Sequence, residues 1–300
     1  MRSASNSCTR SRLALSGRSR LPEQRGPESV ARALVRYGER LRAERAAQVG
    51  DGFSGSPEAD ALLHARPEAF LIGVLFTQGI PAERAWLAPH LLRRRLGHLD
   101  LGRLASERDA VADAVARRPA LHRFKRTMAG WVSDAAGRLL ADWDGDAARI
   151  WGPGSSVSEV TERLSSFNGI GRKKAAMAVE ILTRHFDVSL AQMESGTVAY
   201  DTHVRRVFLR SGMVEHDTFD DIVAAAARAS PEAPGLLDLP AWLVGRRWCH
   251  PSRPDCDACL LSAECARLTA RGVQGVGARQ TPDSPAAPTS GPARQCSSVE

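Results

Sequence analysis

Four of the six cysteines in this chain of 300 residues lie in one short stretch, "CHPSRPDCDACLLSAEC". They are Cys249, Cys256, Cys259 and Cys265, spaced as C-x6-C-x2-C-x5-C. Clustered cysteines in an intracellular chain indicate a metal centre rather than disulfides. Four thiolates in one loop can close around Zn²⁺ or a 4Fe-4S cluster, and the spacing by itself does not choose between the two.

The pattern of apolar residues elsewhere predicts helices. They recur at helical spacing through most of the chain, and no segment shows the alternation of a convincing strand. Ser156 and Glu159 can form a capping box, while Asp201 and Gly212 stand where a helix is expected to begin and end. The stretch "PEAFLIGVLFTQ" is apolar nearly all round, which is typical of a buried helix. These features predict an all-α fold.

The charge and the two ends of the chain narrow the class of protein further. A net charge of +7 suits a polyanionic partner such as nucleic acid, although charge alone does not decide this. No apolar run reaches about 18 residues, so neither a transmembrane helix nor a membrane partner is expected. Residues 1–28 lack the apolar core of a secretory signal, and they and residues 269–300 are predicted to be disordered. We expect a cytoplasmic, nucleoid-associated protein, with organelle targeting by the basic arm left open.

The stretch "FNGIGRK" joins two predicted helices through a short glycine-rich turn, which is the sequence form of a helix-hairpin-helix. Gly169 and Gly171 let the turn pass close to a ligand and adopt positive φ. The helix that follows begins with free N–H groups, which bind phosphate without reading base sequence, and Arg172 adds positive charge there. The alternative interpretation is an ordinary corner between two helices.

Two adjacent lysines follow the turn in a chain that contains only three. Of its 41 basic residues, all but Lys125, Lys173 and Lys174 are arginine. Lysine, unlike arginine, can lose its proton near neutral pH and act as an amine nucleophile. The positive end of a helix dipole and neighbouring cations lower the pKa of an amine. Lys173 or Lys174 is therefore a candidate nucleophile, and the alternative role for either is a phosphate contact.

Three separated motifs together resemble the endonuclease III branch of the helix-hairpin-helix DNA glycosylases. They are the hairpin "FNGIGRKKA", the segment "YDTHVRRVF" and the cysteine loop, which matches the family's iron–sulfur spacing without a gap. The early helix "PEAFLIGVLFTQ" is a weaker fourth match. The resemblance covers roughly residues 29–268 and implies an all-α fold of two lobes, a helical barrel lobe and an iron–sulfur cluster lobe.

The resemblance also implies roles for particular residues. Lys173 would be the Schiff-base nucleophile, Asp201 the catalytic carboxylate, and the four cysteines the ligands of a 4Fe-4S cluster. The implied DNA contacts are Gln78, which fills the space left by an extruded base, with Gly169, Gly171, Arg172 and Lys174. The implied organisation is a disordered arm at 1–28, a helix and loop at 29–65 that pack with the cluster lobe, a barrel lobe with the hairpin at 66–195, a catalytic Asp helix and cluster lobe at 196–268, and a disordered tail at 269–300.

The activity implied is base excision by a DNA glycosylase with AP-lyase activity, acting as a monomer on double-stranded DNA with a damaged, mismatched or abasic site. Asn168 stands where the family usually has proline, Tyr200 replaces a smaller apolar residue, and the connection from the hairpin to Asp201 is longer than is typical. The base removed is therefore not predicted. The alternatives are a monofunctional glycosylase, in which water attacks and Lys173 binds phosphate, a non-enzymatic DNA binder with a redox cluster, and a zinc-stabilised DNA-binding module.

Overall fold

The computed structural model describes residues 26–47 and 54–268. Every regular element among them is a helix, and an isolated bridge between Ser156 and Ala191 is the extent of β pairing there. The predicted all-α fold class is confirmed. The predicted disordered tail at 269–300 lies outside the described residues, as does the arm up to residue 25, whereas Pro27 and Glu28 already belong to the first helix. None of the described helices is both long and apolar enough to cross a membrane.

The described part of the chain forms twelve α-helices and three short 3-10 segments. The α-helices are α1 (Pro27–Ala47), α2 (Pro57–Ala65), α3 (Pro67–Phe76), α4 (Ala82–Leu96), α5 (Leu101–Ser106), α6 (Arg108–Ala116), α7 (Lys125–Asp142), α8 (Val157–Ser165), α9 (Arg172–His185), α10 (Thr202–Ser211), α11 (Phe219–Ala229) and α12 (Asp238–Arg247). The 3-10 segments are Ala147–Trp151, Met193–Ser195 and Pro234–Leu237.

One of the two hydrophobic cores is built by α2 to α9, and we call this part the hairpin lobe. Its centre is α3, which is buried from Glu68 to Phe76, as expected of a helix that is apolar nearly all round. A Cβ atom at Gly73 would lie 2.5 Å from the ring of Trp86, so α3 and α4 are closely packed there and leave no space for a side chain at this position. The hairpin between α8 and α9 lies in this lobe.

The second core joins the two ends of the described chain, and we call this part the cysteine lobe. Val30, Leu34 and Tyr37 of α1 pack with buried residues of α10, α11 and α12. The cysteine loop follows α12, and Leu261 anchors it in this core. The helix α1 therefore packs with the C-terminal part of the described chain, whereas the hairpin belongs to the other core.

Helix ends follow the capping signals in the sequence. Ser156 Oγ accepts the N–H of Glu159 at 3.2 Å, and Glu159 Oε2 accepts the N–H of Ser156 at 2.7 Å, so the predicted capping box is confirmed. Asp201 Oδ1 accepts the N–H of His203 at 2.8 Å and caps α10, which ends at Gly212 with φ +81°. Both predicted ends of α10 are confirmed.

Three local features differ from the sequence patterns. The helices α2 and α5 were not predicted, and the stretch "DAARIWG", whose apolar spacing predicts an α-helix, forms a 3-10 segment. The residues 29–65 were expected to pack with the cluster lobe, but of the two described helices in this range only α1 does so. Leu62 and Leu63 of α2 lie in the core of the hairpin lobe instead. A helix of nine residues carries little periodic signal of its own, so its partner is decided by tertiary packing.

Candidate active site

The turn between α8 and α9 uses its two glycines differently. Gly169 has φ +87°, and a Cβ there would lie 2.3 Å from the ring of Trp131. Gly171 has φ −92°, and a Cβ there would meet nothing within 4 Å. Gly169 is therefore required by the fold of the turn itself. Gly171 leaves an open surface in front of the helix that it begins.

The N-terminus of α9 is free to meet an anion. Gly171 is its N-cap, and no side chain accepts its first N–H groups. Arg172, the first residue of the helix, is exposed beside them. Unpartnered N–H groups at the positive end of a helix dipole favour phosphate. The arrangement matches the one predicted from the hairpin sequence.

Lys173 and Asp201 meet across the two lobes. Lys173 Nζ lies 2.7 Å from Asp201 Oδ2, with the lysine side chain 53% exposed and the aspartate side chain 15% exposed. Burial acts to raise the pKa of Asp201, but the charge and hydrogen bond of Lys173 and the N–H of His203 outweigh it and hold that pKa below its ordinary value. The carboxylate is therefore charged at neutral pH and lies beside an accessible amine.

Lys174 points in another direction and has a different environment. Its Nζ donates to the carbonyl oxygen of Leu75 at 2.7 Å, in the last turn of α3, and lies 5.5 Å from the centre of the Trp131 ring. Burial, with a smaller contribution from the charge of Lys173, lowers the pKa of Lys174 to about 8. Its amine thus faces the protein interior rather than a phosphate.

The loop after α3 exposes Gln78, and a buried histidine fixes its backbone. His122 Nε2 lies 2.8 Å from the carbonyl oxygen of Gln78, and His122 Nδ1 accepts the N–H of Phe124 at 3.0 Å. Burial lowers the pKa of His122. A neutral ring with its hydrogen on Nε2 satisfies both bonds. No sequence pattern singled out His122, whose partner lies 44 residues away.

The four cysteines of the loop are free thiols, and each is half-buried. Burial raises the pKa of Cys259 to about 11, and the neighbouring charges of Cys249, Cys265 and Cys256 push it the same way. Arg210 of α10 donates to Cys249 Sγ at 3.7 Å and to the carbonyl oxygen of His250 at 2.6 Å. Among the residues that the structure describes, no three His, Cys, Asp or Glu side chains are arranged to hold a metal ion.

The donor set nevertheless suits a metal group in kind and number. All four donors are sulfur, which favours zinc or iron–sulfur over hard cations that prefer oxygen. Without a cation, burial raises the pKa of Cys259 and of Cys265, while a bound cation would deprotonate a coordinating thiol. The residues therefore fit either a four-thiolate zinc site or a 4Fe-4S cluster, and the two alternatives from the sequence stay open.

The two-lobed, all-α fold is that of the helix-hairpin-helix DNA glycosylases. It is similar to the structure of a trapped endonuclease III–DNA covalent intermediate in an estranged-adenine complex, with a TM-score of 0.57, 17% identity, and 80% of this chain and 96% of that chain covered. It is also similar to the structure of a thermostable thymine-DNA glycosylase, with a TM-score of 0.55, 12% identity and coverage of 80% and 95%. These likenesses establish the fold.

The chain is also similar in sequence to endonuclease III, and this similarity confirms the resemblance seen in its motifs. It is 29% identical over 120 residues to endonuclease III of Thermotoga maritima, covering 40% of this chain and 52% of that protein. It is 31% identical over 113 residues to endonuclease III of Rickettsia conorii, covering 37% and 49%. The chain thus spans about half the length of the curated relatives it matches. No protein-family model matches it.

Proposed function

We propose that the chain is a DNA glycosylase with AP-lyase activity in base excision repair. The observation that supports this best is the 2.7 Å contact between Lys173 Nζ and Asp201 Oδ2. It places a half-exposed amine beside a buried, charged carboxylate, which is the pairing that nucleophilic attack by an amine requires. The fold and the likeness to endonuclease III support the same function.

The partner proposed is double-stranded DNA with a damaged, mismatched or abasic site. The open N-terminus of α9, Arg172 and the net charge of +7 supply contacts to phosphate. A base inside a duplex cannot be reached, so the target nucleotide must be extruded. Gln78, which is exposed on a loop whose backbone His122 holds, would fill the gap left in the duplex. The protein would work at the nucleoid as a monomer.

The chemistry begins with transfer of a proton from the Lys173 ammonium to Asp201. The free amine attacks C1′, the bond from C1′ to the base breaks, and the base leaves with the electron pair of that bond. Of the three ammonium protons, one goes to the departing base, one goes to O4′ as the sugar ring opens, and one stays on the iminium nitrogen. Water then takes a proton from C2′, the electrons of that C–H bond form the C2′–C3′ double bond, the C3′–O bond breaks, and the 3′ phosphate leaves with its electron pair, which nicks the strand.

Asp201 has a second role that follows from its charge. The pKa of this carboxylate is below its ordinary value, so it is a weak base but a constant negative charge. Positive charge develops on the sugar as the base leaves, and a fixed carboxylate stabilises it. Asp201 therefore contributes both as the nearest proton acceptor to Lys173 and as an electrostatic partner of the reacting sugar.

A 4Fe-4S cluster held by Cys249, Cys256, Cys259 and Cys265 is proposed, with zinc as the alternative. When bound, such a cluster supplies a fixed fold for the loop and a platform for DNA, and none of the bond-breaking steps. The chain's own contribution is the four thiols and Arg210, which donates hydrogen bonds into the loop.

The test is borohydride trapping on abasic DNA with two variants. Lys173→Arg keeps the charge and the pairing with Asp201 but cannot form an imine, so it should bind DNA and give no trapped adduct and no nick. Lys174→Met is the matched control, because it removes the neighbouring amine, and it should trap as the wild type does. If Lys174→Met alone abolishes trapping, Lys174 is the nucleophile. If Lys173→Arg nicks abasic DNA at the wild-type rate, the Schiff-base mechanism is wrong and water is the nucleophile.

A further inference from the structure

A group of buried charged side chains lies where the two lobes meet. Glu180 of α9 is 3% exposed and stands seven residues, or two helical turns, after Lys173. Its Oε1 lies 3.6 Å from a guanidinium nitrogen of Arg42 in α1 and 3.6 Å from one of Arg184 in α9. Since α1 belongs to the cysteine lobe, Glu180 ties the helix that carries Lys173 to the opposite lobe.

Asp238 lies next to this group and reaches the segment that carries Asp201. It is 8% exposed and is the first residue of α12. Its Oδ1 accepts the N–H of Ala199 at 2.7 Å, and the carbonyl oxygen of Ala199 accepts the N–H of Asp201 at 2.7 Å. The Asp238 side chain thus holds the backbone of Ala199 on its N–H side, and the carbonyl oxygen of Ala199 in turn holds the backbone of Asp201. The charges of Glu180 and Arg184 both act on Asp238. The contacts of Glu180 and the hydrogen bond of Asp238 therefore belong to one network.

Stability alone is a weak reason for such a network. Removing charges from water is costly, and well-packed apolar side chains in place of a buried ion pair are often as stable or more so. Apolar packing would not set the direction of the Ala199 N–H. The pair of Lys173 and Asp201 spans two lobes, so its separation depends on how each backbone is held at the interface. A small displacement of either group in such a pair lowers the reaction rate strongly.

We propose that Asp238 is a positioning residue for the reaction, which holds Asp201 against Lys173 through the backbone of Ala199, while Glu180 and Arg184 hold α9 in register with it. This rests on the proposed function in one respect, namely that Lys173 and Asp201 are the reacting pair. Asp238 does not touch the substrate, and its effect passes through the backbone of residues 199–201.

The experiment compares Asp238→Ala with the conservative Asp238→Asn. The asparagine retains an oxygen that can accept the Ala199 N–H, whereas alanine removes it. Ile222→Ala is the control, because Ile222 is fully buried in the same core, on α11, away from the network. Three quantities are measured for each: the single-turnover rate of borohydride trapping on abasic DNA, the Kd for that DNA, and amide hydrogen exchange in residues 198–203.

Asp238→Ala should trap about 10- to 100-fold more slowly with an almost unchanged Kd, and its 198–203 segment should exchange faster. Asp238→Asn should restore both the rate and the protection. Ile222→Ala should lower the thermal midpoint and leave the rate and the exchange of that segment as in the wild type. If Asp238→Ala does not fold, Asp238→Ser takes its place, because its hydroxyl oxygen is one bond nearer the backbone and falls short of the Ala199 N–H.

A wild-type rate and wild-type exchange in Asp238→Ala would overturn the proposal. So would a slow rate that Ile222→Ala reproduces, because the effect would then come from general destabilisation. If the wild type itself gives no trapped adduct, the proposed function fails. The exchange measurement then decides independently whether Asp238 holds the 199–201 backbone.

Discussion

Replacing Lys174 with methionine is expected to stabilise the protein at pH 7 and to destabilise it at high pH. The amine of Lys174 lies against the Leu75 carbonyl and the Trp131 ring, and burial lowers its pKa from the ordinary 10.5 to about 8. At pH 7 the amine is charged in a place that disfavours charge. Methionine has a similar length and no charge, and it suits an apolar site.

The direction in which pH changes the stability follows from proton binding at Lys174. Between pH 8 and 10.5 the unfolded chain binds more protons at Lys174 than the folded chain does, so the stability of the wild type rises with pH across that window. At about 1.4 kcal/mol per pKa unit, the difference between the unfolded and the folded pKa of Lys174 corresponds to about 3 kcal/mol of folding stability. Solvent screening at this partly exposed side chain reduces it to about 2 kcal/mol. The lost hydrogen bond to Leu75 offsets about 1 kcal/mol. The variant should therefore be about 1 kcal/mol more stable at pH 7 and about 1 kcal/mol less stable near pH 10.5.

Thermal midpoints of wild type and variant at matched scan rates measure this difference. About 1 kcal/mol corresponds to a shift of about 2–4 °C in a protein of this size. The difference should change sign between pH 7 and pH 10.5, and taking it pairwise removes the titration of the cysteines. Lys125→Met is the control, because Lys125 is exposed at the start of α7, and its effect should be the same at every pH. A difference for Lys174→Met that stays constant with pH would refute the desolvation argument.

The other predictions concern the turn and the cysteine loop. Gly169→Ala should lower stability by about 2–4 kcal/mol in thermal or urea unfolding, because it combines a positive φ with a clash against Trp131. Gly171→Ala should have the stability of the wild type, because its methyl group meets no other atom. It should bind DNA more weakly in a titration, because that methyl group occupies the open surface in front of α9. Equal losses of stability in Gly169→Ala and Gly171→Ala would contradict this reasoning. Cys256→Ala should lose its metal by elemental analysis. If the wild type contains one zinc and no iron, the cysteines bind zinc and the proposed 4Fe-4S cluster is wrong.

The sequence predicts best those parts of the site whose signals are local. The hairpin, the capping box at Ser156 and the N-cap at Asp201 each depend on residues within a few positions of one another. The contact of Lys173 with Asp201 depends on a tertiary fold, and residue spacing alone did not predict it. The resemblance to a known family paired these two residues, and the structure brings them to 2.7 Å.

The parts that were not predicted depend on contacts between distant segments. Lys174 meets Leu75 from 99 residues away, and Asp238 meets Ala199 from 39 residues away. No periodicity encodes which carbonyl a lysine will reach, or which N–H a buried carboxylate will accept. The short helices α2 and α5 were missed for a related reason, because so few residues carry little periodic signal. Burial lowers the pKa of Lys174, and it is a buried carboxylate of Asp238 that accepts the Ala199 N–H. Which side chains are buried is decided by the whole fold.

The two adjacent lysines show why geometry decides before pKa does. Successive residues on an α-helix point about 100° apart, so Lys173 and Lys174 cannot share a direction. The helix dipole and the mutual charge were expected to favour a neutral amine at either position. In the structure burial lowers the pKa of Lys174, but its amine is already bonded to a backbone carbonyl and faces the core. Lys173 is the lysine that is accessible and has a carboxylate within reach of its proton. A nucleophile must first reach the carbon it attacks, so accessibility favours Lys173.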